Sequence, residues 1–115
     1  MQQLSGHELL ALQRAPSQRA PLLLDVREPW EIALAAIRIE GCESLAIPMN
    51  EVPARLDALA AARDGTQPVV CICHHGMRSA QVVAFLERQG WADVYNLAGG
   101  IAAWSAQVDP GVPTY

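Results

Sequence analysis

The sequence predicts an α/β protein in which a mostly parallel sheet is covered by helices on both faces. Strand-like apolar runs alternate along the chain with segments of helical periodicity, and this alternation implies right-handed β-α-β crossovers. The run at residues 69–73 is apolar at every position, as expected for a central strand buried on both faces. With 115 residues, of which 51% are hydrophobic, the chain is long enough for one substantial core.

Four segments of the chain have the composition of strands. They lie at residues 22–26, 44–47, 69–73 and 94–97. The first helix precedes them: Ser5 and Glu8 match a capping box, and the helical pattern runs to about Arg14. A second helix is predicted to begin at Pro29, a residue suited to the first helical turn. Its apolar positions at helical spacing are Trp30, Ala33, Leu34 and Ile37. We therefore expect Trp30 to pack in the core, which is favoured over a place in the wall of the pocket.

Three further helices are predicted in the rest of the chain. Asn50 is placed to cap the third, with Pro53 in its first turn. The apolar face of that helix would consist of Val52, Leu56, Leu59 and Ala60. A fourth helix spans about residues 79–89 and stops at Gly90, and a short fifth helix opens at residues 99–100.

Composition and charge narrow the classes of partner. The formal net charge of −4 offers no basic stripe for a phosphate backbone, so we expect no nucleic acid. No apolar run reaches the roughly 18 residues of a membrane span, and the N-terminus has no signal-peptide pattern, so we expect no membrane contact. Cys42, Cys71 and Cys73 form an odd set without an export signal, which favours free thiols and a cytoplasmic location.

The segment with the clearest chemical pattern is the loop after the central strand. Ligands of parallel sheets bind beyond the carboxyl ends of the strands. A short strand-to-helix loop can turn its backbone N–H groups inward, and the helix N-terminus adds partial positive charge. Cys73 begins this loop, where a thiolate would be stabilised. Gly76 permits an unusual backbone conformation, and Arg78 carries a planar donor fork that suits a sulfonate, sulfate or phosphate. The pattern predicts a nucleophilic cysteine facing an anionic substrate.

The other residues of the loop have two possible interpretations each. His74 and His75 are substrate contacts or exposed loop residues, and Met77 lines the mouth of the pocket or is exposed. Cys71 lies further back in the strand, so we interpret it as a core residue.

A metal site is the competing interpretation of this loop. The cluster of Cys71, Cys73, His74 and His75 has ligand chemistry that suits zinc or copper. Against it, Cys71 should be deep in the sheet, adjacent histidine side chains diverge, and no second pair of ligands is present elsewhere. We therefore assign neither a metal nor another cofactor.

The chain resembles the rhodanese-like (sulfurtransferase) family, specifically its single-domain bacterial members. The resemblance covers nearly the whole sequence and rests on motifs that occur in the family's order. These are Leu24-Asp25-Val26-Arg27-Glu28-Pro29, Ile47-Pro48-Met49, the Cys-x-x-Gly-x-Arg pattern of Cys73, Gly76 and Arg78, Leu97-Ala98-Gly99-Gly100-Ile101-Ala102-Ala103-Trp104, and Pro113-Thr114-Tyr115.

The resemblance implies a fold, a reaction and a set of site residues. The fold would be a three-layer α/β/α domain with about five strands, a single domain over residues 1–115 with its core at about 17–109. Cys73 would take sulfur from an anionic donor such as thiosulfate, form a persulfide, and pass the sulfur to a thiophile or an acceptor protein. His74, His75, Gly76, Met77 and Arg78 would bind the substrate, with Asp25, Arg27 and Ser79 in support. For Asp25 and Arg27 a turn cap and a structural ion pair are favoured over direct catalysis.

Loop length and composition separate this reaction from its alternatives. Phosphatases of similar fold carry a longer loop between the cysteine and the arginine, with room for a tetrahedral phosphate, so sulfur transfer is favoured here. Some members carry Arg or Lys where this chain has His74 and His75, which predicts poorer use of the thiosulfate dianion. The alternatives that stay open are a sulfur carrier without turnover and, less favoured, a metal-binding module or a redox sensor in which Cys42 resolves an oxidised Cys73.

Overall fold

A parallel sheet of five strands forms the centre of the protein. A computed structural model describes residues 1–15 and 19–115. The strands are β1 (Gln2–Leu4), β2 (Leu22–Asp25), β3 (Ser44–Ala46), β4 (Val69–Ile72) and β5 (Val94–Leu97). Their order across the sheet is β1-β5-β4-β2-β3, and each neighbouring pair is parallel. β4 is therefore the central strand, as its uninterrupted apolar run predicts.

Helices cover both faces of the sheet. They are α1 (Gly6–Arg14), α2 (Pro29–Leu34), α3 (Leu56–Ala62), α4 (Met77–Arg88) and α5 (Gly100–Gln107). Alternate strand residues face opposite layers: Cys71 packs in a cluster with Leu59 of α3 and Leu86 of α4. Val70 and Trp104 pack in the other cluster, on the side of α1 and α5. The three-layer α/β/α arrangement is confirmed.

β1 was not among the predicted strands. Its residues Gln2 and Gln3 are polar and exposed, so no periodicity marks them. Pairing with β5, with Leu4 opposite Leu97, makes this segment an edge strand, and that contact is tertiary. The start of the expected core at residue 17 falls within residues 16–18, outside the described residues.

The prediction that Trp30 packs in the core was wrong. α2 has only six residues and ends at Leu34, so the predicted apolar stripe does not continue to Ile37. Ala35 is extended (φ −159°), and this change of direction buries Ala35 and Ile37 against the sheet. Trp30 and Leu34 are left 63% and 52% exposed.

The predicted start of the third helix was also wrong. Asn50 lies inside a short 3-10 turn, Met49–Glu51, and α3 begins only at Leu56. The N–H of Met49 donates to the carbonyl of Val26 at 2.9 Å, which ties this segment to the chain leaving β2. That tertiary hydrogen bond competes with helix formation, which needs several consecutive turns to become favourable.

No helix in residues 1–15 and 19–115 is long and apolar enough to cross a membrane.

Candidate active site

Cys73 directly follows the central strand, at the carboxyl edge of the sheet. The residue is 1% exposed, and the loop after it leads into α4. β4 has a strand on each side, so the thiol lies where the ends of β2, β4 and β5 meet. This is the position at which parallel sheets bind ligands.

Two polar groups of the loop and of α4 contact the sulfur. The N–H of Gly76 donates to Cys73 Sγ at 3.0 Å, and the Oγ of the fully buried Ser79 lies 3.2 Å from the same sulfur. Gly76 has φ +100°, in the left-handed region that glycine adopts without strain, which lets its N–H point back at the thiol. Hydrogen-bond donors at this distance stabilise negative charge on sulfur.

The N-terminal end of α5 binds the active-site loop through two backbone hydrogen bonds. The N–H of Ile101 donates to the carbonyl of Cys73 at 2.9 Å, and the N–H of Ala102 donates to the carbonyl of His74 at 3.1 Å. Gly100 has φ +60°, and a Cβ at this position would overlap both of these carbonyl groups. The glycine is therefore required by close backbone approach as well as by its conformation.

The guanidinium of Arg78 is held by a carboxylate of the protein. Arg78 Nη1 and Nη2 donate to Glu31 Oε2 and Oε1 at 2.7 and 2.8 Å. Glu31, 4% exposed, also accepts from the N–H of Glu28 at 2.9 Å and from the hydroxyl of Tyr115 at 3.0 Å. The bonds from Arg78 are the main cause that lowers the pKa of Glu31 to about 2, and the same pair raises the pKa of Arg78. The donor fork expected to face a substrate thus has an internal partner.

Asp25 and Arg27 form the expected ion pair beside the loop. Arg27 Nη2 lies 2.7 Å from Asp25 Oδ2, and the guanidinium is fully buried. Its other donors reach the carbonyl of Ala35 at 2.8 Å and the hydroxyl of Tyr115 at 3.0 Å. These contacts join the end of β2 to the chain after α2 and to Tyr115, which fits a structural role.

The two histidines of the loop form a stack with the C-terminal tyrosine. The rings of His74 and Tyr115 are 3.9 Å apart at 11°, and those of His74 and His75 are 3.9 Å apart at 25°. Burial, followed by the neighbouring charge of His75, lowers the pKa of His74, so its imidazole is neutral at pH 7. Met77, the first residue of α4, is 76% exposed and points away from the core.

Three residues of this region were not assigned to the site from the sequence: Glu31, Asn96 and Tyr115. Asn96 carried a signal, because a polar side chain inside an apolar strand run requires a hydrogen-bond partner. Glu31 also carried one, since it completes a capping box with Glu28 at the start of α2. Tyr115 is far from the loop in sequence, and nothing local marks its contacts.

The other thiols have surroundings different from those of Cys73. Burial, followed by the nearby charge of Cys73, raises the pKa of Cys71 to about 12, as suits a core residue. Cys42 packs against the cluster on the α1 and α5 side, whereas Cys73 belongs to the cluster on the α3 and α4 side. In the described part of the chain, no group of three or more His, Cys, Asp or Glu residues could hold a metal ion.

Comparisons with known proteins agree on one family. The Rhodanese-like domain matches residues 5–107. A protein of Allochromatium vinosum named Sulfurtransferase is 40% identical over 93 residues, which cover 81% of this chain and 79% of that protein. Rhodanese-like/PpiC domain-containing protein 12, chloroplastic, of Arabidopsis thaliana is 37% identical over 93 residues, which cover 81% of this chain but only 30% of the relative. Thiosulfate sulfurtransferase GlpE of Pseudoalteromonas translucida is 32% identical over 85 residues, which cover 74% of this chain and 73% of that protein.

Solved structures show the same relationship in three dimensions. A rhodanese-related protein from Thermoplasma volcanium superposes with a TM-score of 0.76 at 27% identity, over the whole of both chains. A rhodanese-like domain protein from Staphylococcus aureus superposes with a TM-score of 0.67 at 30% identity, over 100% of this chain and 99% of that one. With the domain match over residues 5–107 and these neighbours, the chain belongs to the rhodanese-like family.

Proposed function

We propose that this protein is a sulfurtransferase that carries sulfane sulfur as a persulfide on Cys73. The observation that carries the proposal is the position of the thiol. Cys73 Sγ lies at the end of the central strand and accepts a hydrogen bond from the N–H of Gly76 at 3.0 Å. A thiolate held by a backbone donor at a helix start is an activated nucleophile. Relatives named as sulfurtransferases support the same reaction class.

The reaction consists of two displacements at sulfur. In the first, the Cys73 thiolate attacks the outer sulfur of the donor, a new S–S bond forms, and the donor's S–S bond breaks. With thiosulfate the electron pair leaves on sulfite, and the enzyme holds a persulfide anion. In the second, a thiophile such as cyanide attacks the outer sulfur, thiocyanate leaves, and the Cys73 thiolate is restored. The Gly76 N–H would stabilise negative charge on the sulfur in both steps, as an oxyanion hole does for oxygen.

The charges around the loop favour a donor less charged than thiosulfate. The positive charge of Arg78 is balanced by Glu31 at 2.7 Å, and His74 is neutral at pH 7 because its pKa is lowered. A dianion approaching the Cys73 thiolate therefore meets little net positive charge. An alkyl persulfide carries less negative charge to the same sulfur, so we expect it to be the better donor.

A sulfur carrier is the second candidate, because in some relatives the matched region is only a small part of a longer protein. In adenylyltransferase and sulfurtransferase uba4 of Ogataea parapolymorpha, the matched region is only 27% of the protein. A domain of this kind joined to another one can hand its sulfur to a single acceptor protein. The same Cys73 persulfide would then load once and stay until that acceptor protein removes it.

Intact mass measurement tests the proposal. The protein is incubated with thiosulfate or with an alkyl persulfide, and then with cyanide. We expect a gain of one sulfur atom, its removal by cyanide, and no gain in Cys73→Ser. Cys42→Ser is the matched control and should load normally, because Cys42 packs on the other side of the sheet. If neither donor loads Cys73, the proposal is wrong. Steady-state turnover with cyanide indicates an enzyme, and one loading without turnover indicates a carrier.

A further inference from the structure

A buried amide on β5 reaches the active-site loop. Asn96 is 3% exposed and lies beside β4, opposite Cys71 in the strand register. Its Nδ2 donates to the carbonyl of Gly76 at 3.0 Å and to Oε1 of Gln3 at 2.9 Å. Its Oδ1 lies 2.5 Å from the Oγ of Ser79, the hydroxyl that also contacts Cys73. Asn96 is thus connected to the reactive sulfur through one intervening group.

The orientation of this amide follows from its partners. A backbone carbonyl only accepts hydrogen bonds, so the Asn96 atom beside the Gly76 carbonyl must be the nitrogen. The oxygen of Asn96 therefore faces Ser79, and it too can only accept. The single proton of the Ser79 hydroxyl is the donor that this contact requires.

The Ser79 proton has two acceptors that compete for it. While Cys73 is a thiol, its S–H can donate to Ser79 Oγ, at 3.2 Å, while the Ser79 O–H donates to Asn96 Oδ1. Every group is then satisfied. When Cys73 becomes a thiolate, the Ser79 O–H forms a stronger hydrogen bond to the charged sulfur than to the neutral amide of Asn96. Asn96 Oδ1 then has no donor although it is buried, which costs free energy. Asn96 therefore favours the thiol.

We propose that Asn96 is a positioning residue that controls ionisation of Cys73 through the hydroxyl of Ser79. While Cys73 is a thiol, Asn96 holds the Ser79 proton. On ionisation the Cys73 proton leaves to the solvent, and the Ser79 hydroxyl rotates from Asn96 Oδ1 to Cys73 Sγ. The inference deepens the proposed function, since the thiolate is the nucleophile there. Its test follows ionisation alone and needs no sulfur transfer, so the two proposals fail separately.

Other titratable and charged groups lie near the thiol, and they are the same residues in the original protein and in the test variants. They belong to β4, the loop, α4, α2 and the chain after β2: Cys71, His74, His75, Arg78, Glu31 and Arg27. Arg78 and Glu31 neutralise each other, and Arg27 is paired with Asp25. The test variants leave all of them unchanged. Asn96 also contacts the carbonyl of Gly76, so the Ser79→Ala background is needed to separate an effect through Ser79 from one through Gly76.

The experiment is the pH dependence of Cys73 alkylation by iodoacetamide in the full chain, followed by peptide mass analysis. In Asn96→Ala the Ser79 hydroxyl is free to donate to the thiolate. We expect the pH of half-maximal rate to fall by about one unit. At a given pH well below this midpoint, the fraction of Cys73 present as thiolate is then roughly tenfold larger. Ser79→Ala should raise this pH, because the thiolate loses a donor. In the Ser79→Ala background, Asn96→Ala should have no effect on it.

Two matched variants separate this role from a purely structural one. Gln3→Ala removes the other partner of Asn96 Nδ2 without touching Ser79, and it should leave the alkylation profile unchanged. If Asn96→Ala does not fold, Asn96→Leu, which has the same branched shape but is larger and has no acceptor, should give the same downward shift. An unchanged or higher pH of half-maximal rate in the folded variant overturns the proposal. So does a downward shift that persists in the Ser79→Ala background.

Discussion

Replacing Glu31 with glutamine tests how much the ion pair with Arg78 contributes to the stability of the protein. The carboxylate is 4% exposed and accepts from Arg78, Glu28 and Tyr115. Glutamine has the same shape but presents an NH2 group to at least one of these donors, and it removes the negative charge beside Arg78. The variant therefore keeps the packing and changes the electrostatics.

The size of the expected loss of stability follows from the pKa of Glu31. Its ordinary value is 4.5 and its value in the folded protein is about 2. At ~1.4 kcal/mol per pH unit, this difference corresponds to about 3 kcal/mol of stability. Because the folded pKa is the lower one, this stability is fully present above pH 4.5 and is lost as the pH falls towards 2. Removing one partner of a buried pair costs about 3–5 kcal/mol, and the one-third exposure of Arg78 points to the lower end.

Urea unfolding of both proteins at two pH values measures this contribution. We expect Glu31→Gln to be about 3 kcal/mol less stable than the original protein at pH 6. The difference should narrow by about 2 kcal/mol at pH 3, where much of the contribution of the carboxylate is already lost. Glu51→Gln is the matched control: its pair with Arg55, at 3.6 Å and on the surface, should contribute less than about 1 kcal/mol. If Glu31→Gln changes stability by less than about 0.5 kcal/mol at pH 6, or if the difference does not depend on pH, the reasoning is refuted.

Two further substitutions test the packing around the loop, and urea unfolding measures both. Gly100→Ala should lower the free energy of unfolding by about 3 kcal/mol, because it adds overlap with backbone carbonyls to the strain of a positive φ. Gly90→Ala, with φ +87° and open space around it, should lose only about 1 kcal/mol, and equal losses would contradict the overlap. Tyr115→Phe should cost about 1–2 kcal/mol through its bonds to Arg27 and Glu31, and a loss below about 0.5 kcal/mol would show that these bonds contribute little.

Local patterns in the sequence were sufficient for the fold class and for the position of Cys73 in the fold. The apolar run of β4 predicts a central strand, and the residues after it therefore lie at the carboxyl edge of the sheet. The capping box of Ser5 and Glu8 forms as predicted, since it depends only on neighbours three residues apart. Cys73 and Gly76 are close in the chain, so their contact could be anticipated from spacing.

Long-range contacts decided the rest. The strand β1 exists because β5 offers it a pairing edge, and the exposure of Trp30 follows from where the chain turns after α2. The partner of Arg78 is Glu31, 47 residues away, and no local pattern says which acid will meet a given guanidinium. The amide of Asn96 reaches Ser79 from another strand. The sequence by itself determined the fold class and the edge of the sheet at which Cys73, the proposed nucleophile, lies. Only the tertiary structure decided which groups pair with the charge of Arg78 and with the hydroxyl of Ser79, because these partners come from distant parts of the chain.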